Sequence, residues 1–132
     1  MFDWETMNFR PGALQYPRRW MHRPLGALSI GEELSVERVT IPINGLHPAL
    51  EGFRVVQLSD MHLYPWTHLE FIQAAVNMAN ELKPDLMVLT GDYVSHIGAA
   101  IHDLEPVLGQ LNASQGVYAV LGNHDHWTDA DV

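Results

Sequence analysis

Three short stretches of the sequence concentrate side chains with carboxylate, imidazole or amide donors. They are Asp60-Met61-His62, Gly91-Asp92 and Gly122-Asn123-His124-Asp125. The chain has no cysteine, so thiolate ligands and disulfides are excluded. Carboxylate oxygens and imidazole nitrogens without thiolate suit manganese, iron or zinc better than magnesium or calcium. The three stretches therefore predict metal-dependent chemistry, provided that the fold brings them together.

Each stretch taken alone has an ordinary structural explanation. An Asp-x-His pair is more often a pair of loop residues, and an aspartate after glycine more often caps a helix or closes a turn. In an extended segment, however, Asp60 and His62 would point the same way and could share one cation. Gly91 lets the chain turn sharply where a larger residue would crowd an ion. Three donor side chains in a row after Gly122 are dense for a simple turn.

The apolar pattern predicts four strands. They cover residues 39–43, 53–58, 85–90 and 117–121. Pro42 marks the first as an edge strand, because proline cannot donate to a sheet ladder. The third is a continuous apolar run, as expected for a strand buried on both faces. Each of the three donor stretches begins where one of the later strands ends.

Two helices are predicted between these strands. Apolar residues recur at helical spacing from 71 to 82, after a capping box formed by Thr67 and Glu70. A second helix is predicted to begin near Pro106, at a first-turn position that proline favours. The order β-β-α-β-α-β indicates an α/β fold with right-handed crossovers and a mainly parallel sheet. Ligands of such sheets bind at the carboxyl ends of the strands, where the three stretches are predicted to converge.

Length, composition and charge narrow the classes of protein. The chain has 132 residues, of which 47% are hydrophobic and 17% charged, a globular composition. Residues 1–31 are basic and aromatic with no sustained period, so we expect an irregular lead-in followed by a domain over residues 32–132. The formal net charge of −9 repels nucleic-acid backbones and disfavours a DNA or RNA partner.

Targeting signals are weak. We see no signal peptide and no apolar run of transmembrane length, so we expect a cytoplasmic protein. The lead-in segment could instead touch an anionic membrane surface, which would make the protein peripheral, but packing on its own acidic domain is the favoured alternative. The residues indicate no oligomeric state.

In their order and context, the three stretches resemble the successive Asp-x-His, Gly-Asp and Gly-Asn-His-Asp blocks of calcineurin-like metallophosphoesterases. The surrounding sequences VVQLSDMHL, DLMVLTGDYV and VYAVLGNHDHW are most similar to a bacterial subgroup of small, often membrane-associated phosphohydrolases. The resemblance covers about residues 36–127. It implies an αββα sandwich, of which this chain would supply the N-terminal half.

The resemblance also implies a dinuclear centre of divalent or trivalent transition metal ions, with manganese, iron or zinc as candidates. Asp60 and His62 would bind the first ion. Asp92 would bridge both ions, and Asn123 would bind the second. Such a centre hydrolyses a phosphomonoester or phosphodiester by attack of a metal-bridging hydroxide.

The same resemblance implies two catalytic residues beside the metals. His124 would stay off the metals and face the substrate phosphate, and Asp125 would orient it. The substrate would be a small phosphorylated molecule or a lipid-linked phosphate. His126 and Trp127 fit the mouth of a substrate site and an ordinary surface equally well.

The sequence departs from the family pattern after the third block. The family continues with a further metal-binding histidine and a Gly-His-x-His block, and neither follows here. We therefore expect a partial domain that is inactive as a 132-residue chain. The alternative is a non-catalytic interaction module that keeps the fold without the metals.

Overall fold

A five-stranded sheet forms the frame of the protein. The computed structural model describes residues 2–10, 33–65 and 67–129. The strands are β1 (Phe2–Arg10), β2 (Glu33–Ile41), β3 (Arg54–Leu58), β4 (Leu86–Leu89) and β5 (Val117–Ala119). Their spatial order is β2-β1-β3-β4-β5, in which β1 and β2 are antiparallel and every other neighbouring pair is parallel. The predicted α/β class with a mainly parallel sheet is confirmed.

Three helices connect and follow the strands. They are α1 (Leu69–Glu81), α2 (Ile101–Leu108) and α3 (Asn123–Asp129), and short 3-10 turns cover Pro48–Leu50 and Gly98–Ala100. From β2 to β5 the order is the predicted β-β-α-β-α-β. Strand β2 lies at the edge of the sheet, as Pro42 predicted.

The expectation of an irregular segment over residues 1–31 is wrong for its first part, because β1 is an internal strand between β2 and β3. Met7 is 1% exposed and Glu5 is 5% exposed, so alternate residues of β1 face the core. A glutamate on the buried face disguised this alternation in the sequence. The rest of the predicted lead-in, residues 11–31, lies outside the described residues.

Both helix starts differ from the predictions. The N-cap of α1 is His68, whose side chain makes no cap hydrogen bond, so Thr67 and Glu70 do not form the predicted capping box. Helix α2 begins at Ile101, and Pro106 lies inside it. The apolar residues that pack on the sheet set this earlier start: Ala100, Leu104 and Val107 are all buried.

Val55 is buried on one face of the sheet, at 2% exposed, but the main hydrophobic cluster of the described residues lies on the face that α1 and α2 cover. There Val56, Leu58 and Met87 pack against α1 and α2, and each is fully buried. On the opposite face, among the described residues, Val39 is 53% and Tyr118 63% exposed. The prediction that β4 is buried on both faces is wrong, because its second set of side chains, Leu86 and Val88, is only half-buried.

Strand β5 is exposed along its whole length. It is the second edge of the sheet, so it has one neighbouring strand and little helix above it.

Within the described part of the chain, none of the helices is long and apolar enough to span a membrane.

Candidate metal centre

The loops that follow β3 and β4 are joined by backbone hydrogen bonds beyond the carboxyl ends of the strands. The amides of Asp60, His62 and Leu63 donate to the carbonyls of the loop after β4, at 3.1, 2.9 and 2.9 Å. The amide of Val120, just beyond β5, donates to the Leu89 carbonyl at 3.0 Å. The sheet edge thus brings all three donor stretches together, as the topology predicted.

The first loop does not have the extended backbone that the sequence argument assumed. Asp60 and His62 have φ angles of 56° and 46°, in the left-handed region, where non-glycine residues cost of order 1–2 kcal/mol each. Between and after them, Met61 and Leu63 are fully buried. Burial of these two apolar side chains turns the polar side chains of the loop outward, so Asp60 and His62 still share one side.

Two glycines let the second and third loops approach each other closely. A Cβ added to Gly91, whose φ is +96°, would lie 2.2 Å from the Gly122 nitrogen. A Cβ added to Gly122 would lie 2.2 Å from Oδ1 of Asp92. The glycines that precede the donors are therefore required by the packing of one loop against the other, as well as by the sharp turn that the sequence suggested for Gly91.

Donor atoms of Asp60, Asp92 and His124 lie close to those of His62. His62 Nε2 lies 3.7 Å from Asp60 Oδ1 and 3.7 Å from Asp92 Oδ2. Donor atoms of His62, Asp92 and His124 all lie within 4.8 Å of one another. Ligands held about 2.0–2.2 Å from a transition metal ion face each other across roughly 3–4 Å. The two 3.7 Å separations are too long for hydrogen bonds but fit a cation between the atoms, so the residues present suit a metal ion.

His124 connects the donor group to the third loop. Its backbone amide donates to Asp92 Oδ1 at 3.0 Å, which leaves Asp92 Oδ2 facing His62. Its imidazole meets that of His62 edge to face, with ring centroids 4.8 Å apart. Asn123 is the first residue of α3 and is exposed. Whether His124 binds a metal or faces a substrate, and whether Asn123 is a ligand, stay predictions.

Asp125 ties the loops together through backbone amides. Its carboxylate accepts hydrogen bonds from the amides of Asp92, Tyr93 and Gly122, each at 2.8 Å, and from Val94 at 3.3 Å. Asp125 is 5% exposed, so these amides replace water around a buried carboxylate. Within the described residues, its hydrogen bonds go to amides and not to the imidazole of His124. The orienting role of Asp125 stays a prediction.

Tyr93 is a component of the centre that the sequence argument missed. Its hydroxyl donates to the Val120 carbonyl at 2.9 Å, which links the loop after β4 to the end of β5. Burial raises the pKa of Tyr93 to about 12, and the charge of Asp125 adds to the shift. The only sequence signal was its position directly after Asp92.

Other histidines and one cavity lie apart from the donor group. His96 and His102 are exposed, consistent with solvated side chains. A cavity of about 230 Å³ is lined in part by Glu5, Arg38 and Arg54. Since Arg54 begins β3, this cavity lies at the amino end of the parallel strands, opposite the donors.

Comparison with protein families gives one match. The model described as calcineurin-like phosphoesterase matches residues 53–131, a range that contains all three donor stretches. No solved structure matches the chain at a significant level.

Curated relatives share the same region. The chain is 37% identical over 107 residues, 81% of its length, to a zebrafish (Danio rerio) transmembrane protein with a metallophosphoesterase domain. It is 38% identical over 89 residues, 66% of its length, to the metallophosphoesterase YkuE of Bacillus subtilis. It is 39% identical over 80 residues, 60% of its length, to the UDP-2,3-diacylglucosamine pyrophosphatase LpxG of Chlamydia muridarum. The chain spans 24%, 31% and 24% of the length of these three proteins.

Proposed function

Because this chain belongs to the calcineurin-like phosphoesterase family, we propose that its donor residues form part of a metal-dependent site that hydrolyses a phosphomonoester or a phosphodiester. The observation that carries the proposal is the pair of 3.7 Å separations between His62 Nε2 and the carboxylates of Asp60 and Asp92. His62 Nε2 faces each carboxylate at a distance that is too long for a hydrogen bond and that suits a shared cation.

The proposed ligands are those that the family resemblance implies. Asp60 and His62 hold one ion, and Asp92 bridges to a second ion that Asn123 helps to hold. The side chain of Asp92 is 14% exposed, against 64% for Asp60, which suits the inner, bridging position. Two divalent or trivalent ions of manganese, iron or zinc are proposed. When bound, they would polarise the phosphoryl group and supply the nucleophile near neutral pH.

The protein's own groups would then position and protonate the substrate. We assign His124 to the substrate phosphate, where its imidazole stabilises developing charge or protonates the leaving alkoxide. The amide of His124 is fixed on Asp92 Oδ1, and Asp125 fixes the amides of Asp92 and Gly122. Asp125 is therefore proposed as a positioning residue, because it holds the backbone from which His124 and Asp92 project.

The substrate class is proposed as a small phosphorylated molecule or a lipid-linked phosphate. The Chlamydia muridarum relative is a UDP-2,3-diacylglucosamine pyrophosphatase, whose substrate carries both a nucleotide and acyl chains. Cytoplasmic location, with or without peripheral contact to a membrane, is proposed on the sequence alone. The net charge of −9 argues against a nucleic-acid substrate.

The 132 residues alone are proposed to bind metal weakly and to turn over substrate slowly or not at all. The chain spans about a quarter of two of its relatives, and the resemblance puts further metal ligands after the third donor stretch. The hydrolytic test therefore uses the complete gene product, with a chromogenic phosphodiester and manganese.

The decisive comparison is between Asp92→Asn and His124→Ala. Asp92→Asn should abolish occupancy of the two-ion centre, because the bridging carboxylate is lost. His124→Ala should keep the metals and slow turnover by about 10²–10⁴, the usual contribution of a positioned acid. His102→Ala, at an exposed position in α2, is the control and should change neither quantity.

Equal metal loss in Asp92→Asn and His124→Ala would contradict these roles. A wild-type protein that is purified without chelator, contains no transition metal and gains none on dialysis would favour the non-catalytic interaction module.

A further inference from the structure

Helix α3 carries an exposed indole next to the donor group. Trp127 is 75% exposed, and its ring centroid lies 5.1 Å from that of His124, at an interplanar angle of 59°. The His124 ring in turn lies 4.8 Å from the His62 ring. The three rings therefore form a row that leads from the donor atoms outward to solvent.

The exposed indole offers a large apolar face to a ligand. A tryptophan can bury 150–250 Å² of surface and is highly buried on average in folded proteins. Trp127 contacts His124 and leaves most of its ring uncovered, although its neighbour Thr128 is held by hydrogen bonds to His124 and Ser95 carbonyls at 2.8 and 3.3 Å. The helix turn that presents the indole is thus fixed while the indole itself stays open.

The position of this ring suits a group attached to a bound phosphate. In a phosphate ester the first carbon of the substituent is two bonds from phosphorus. If the phosphoryl group bound at the donor atoms of His62 and Asp92, this carbon would lie near His124, whose donor atom is within 4.8 Å of theirs. The indole is the next ring in that direction, within the 4.5–7 Å at which aromatic rings interact. A flat π-face accepts a planar ring by stacking.

We propose that Trp127 is a specificity residue that stacks on a planar aromatic group, such as a nucleobase, attached to the phosphate of the substrate. This inference rests on the proposed function, because it assumes that phosphate binds at the donor group. It adds a preference for aromatic over small alkyl phosphoesters. An aromatic group stacked there would also shield His124 from water.

The test measures binding, so it does not depend on turnover. Because the 132-residue chain is proposed to bind metal weakly, zinc is added until its binding saturates. Zinc is diamagnetic and so does not broaden NMR signals. The zinc-loaded chain is then titrated with phenyl phosphate and with methyl phosphate. Isothermal titration calorimetry gives both affinities. In NMR spectra the indole N–H signal of Trp127, assigned by its absence from Trp127→Phe, reports contact between the ligand and the indole. We expect phenyl phosphate to bind roughly tenfold more tightly than methyl phosphate, the scale of one stacking contact, and to shift the Trp127 signal.

Three variants separate stacking from other effects. Trp127→Ala should remove the roughly tenfold advantage of phenyl phosphate and leave methyl phosphate binding unchanged, while Trp127→Phe should keep most of it. Tyr118→Ala removes another exposed aromatic, on the uncovered face of the sheet, and should have no effect. Since Trp127 is mostly exposed, its replacement should not prevent folding.

Two outcomes separate the specificity role of Trp127 from the proposed function. If both phosphates bind only with zinc but with equal affinity, and Trp127→Ala changes neither, the specificity role is wrong and the proposed function stands. If zinc occupies the donor group and neither phosphate binds to the zinc-loaded chain, the proposed function itself fails.

Discussion

The closest approach between the loops of the candidate centre can be tested with one added methyl group. In Gly91→Ala, the new Cβ would lie 2.2 Å from the Gly122 nitrogen and 2.6 Å from its Cα, and ordinary contact begins at 3.4 Å. The two loops would have to separate by about 1 Å, which is overpacking that costs roughly 1–3 kcal/mol. The positive φ adds about 1–2 kcal/mol for a residue with a side chain.

A matched control isolates the contact from the backbone strain. Gly116 has a φ of +98°, against +96° for Gly91, and a Cβ added there would meet only Tyr118 Cε2 at 3.6 Å. Gly116→Ala should therefore lose only about 1–2 kcal/mol of unfolding free energy. Gly91→Ala should lose roughly 2–5 kcal/mol, the sum of both costs.

Metal affinity should separate the two variants further. The separation of the loops in Gly91→Ala would move Asp92 away from the His124 amide that holds its carboxylate. Loss of a hydrogen bond that orients a metal ligand typically weakens metal binding about 10–100-fold. Urea unfolding measures the stability of each variant, and titration with manganese measures its affinity. Equal stability loss in the two variants, with unchanged manganese affinity in Gly91→Ala, would refute the argument from close packing.

Three other substitutions test separate contacts. Asp125→Asn should destabilise the fold by about 3 kcal/mol in urea unfolding. The reason is that the side-chain nitrogen of asparagine cannot accept hydrogen bonds from the backbone amides that now donate to the carboxylate. Unchanged stability would show that these hydrogen bonds do not hold the loops together. The pKa of Tyr93 is raised to about 12, so the folded state keeps a proton that the unfolded chain loses above its ordinary pKa of 10.0. The resulting stabilisation of about 2–3 kcal/mol is complete below pH 10 and is lost as the pH rises towards 12, and Tyr93→Phe should remove this decline when unfolding is measured across that range. Glu5→Met should be neutral or stabilising by about 1–2 kcal/mol in thermal unfolding, because one carboxylate oxygen of buried Glu5 has no hydrogen-bond partner. Arg38→Ala should destabilise the fold, because it removes the contact to the other carboxylate oxygen at 2.7 Å. A larger loss of stability in Glu5→Met than in Arg38→Ala would contradict this reasoning.

The parts of the fold that follow from local pattern were predictable. Apolar runs that end at Asp60, Asp92 and Asn123 placed the donors at the carboxyl ends of parallel strands, and the structure brings the loops together there. This succeeded because strand direction and right-handed crossovers leave few alternatives for where such ends can lie. The order of elements from β2 onward followed from the same signals.

The remaining features depend on tertiary contacts that no local pattern encodes. Strand β1 was missed because buried Glu5 interrupts its apolar alternation, and its place in the middle of the sheet is set by pairing with β2 and β3. The left-handed backbone of Asp60 and His62 results from burial of Met61. The amide contacts of Asp125 join two loops more than thirty residues apart, which sequence spacing alone cannot reveal.

The proposed metal site can be located by crystallography. Crystals of the protein soaked in manganese would be measured at the manganese absorption edge, and an anomalous difference map would locate the ion. We expect a peak between His62 Nε2 and the carboxylates of Asp60 and Asp92, and we expect this peak to be absent from Asp92→Asn crystals soaked in the same way. A peak elsewhere on the acidic surface, or no peak beside His62 in the wild-type protein, would contradict this expectation.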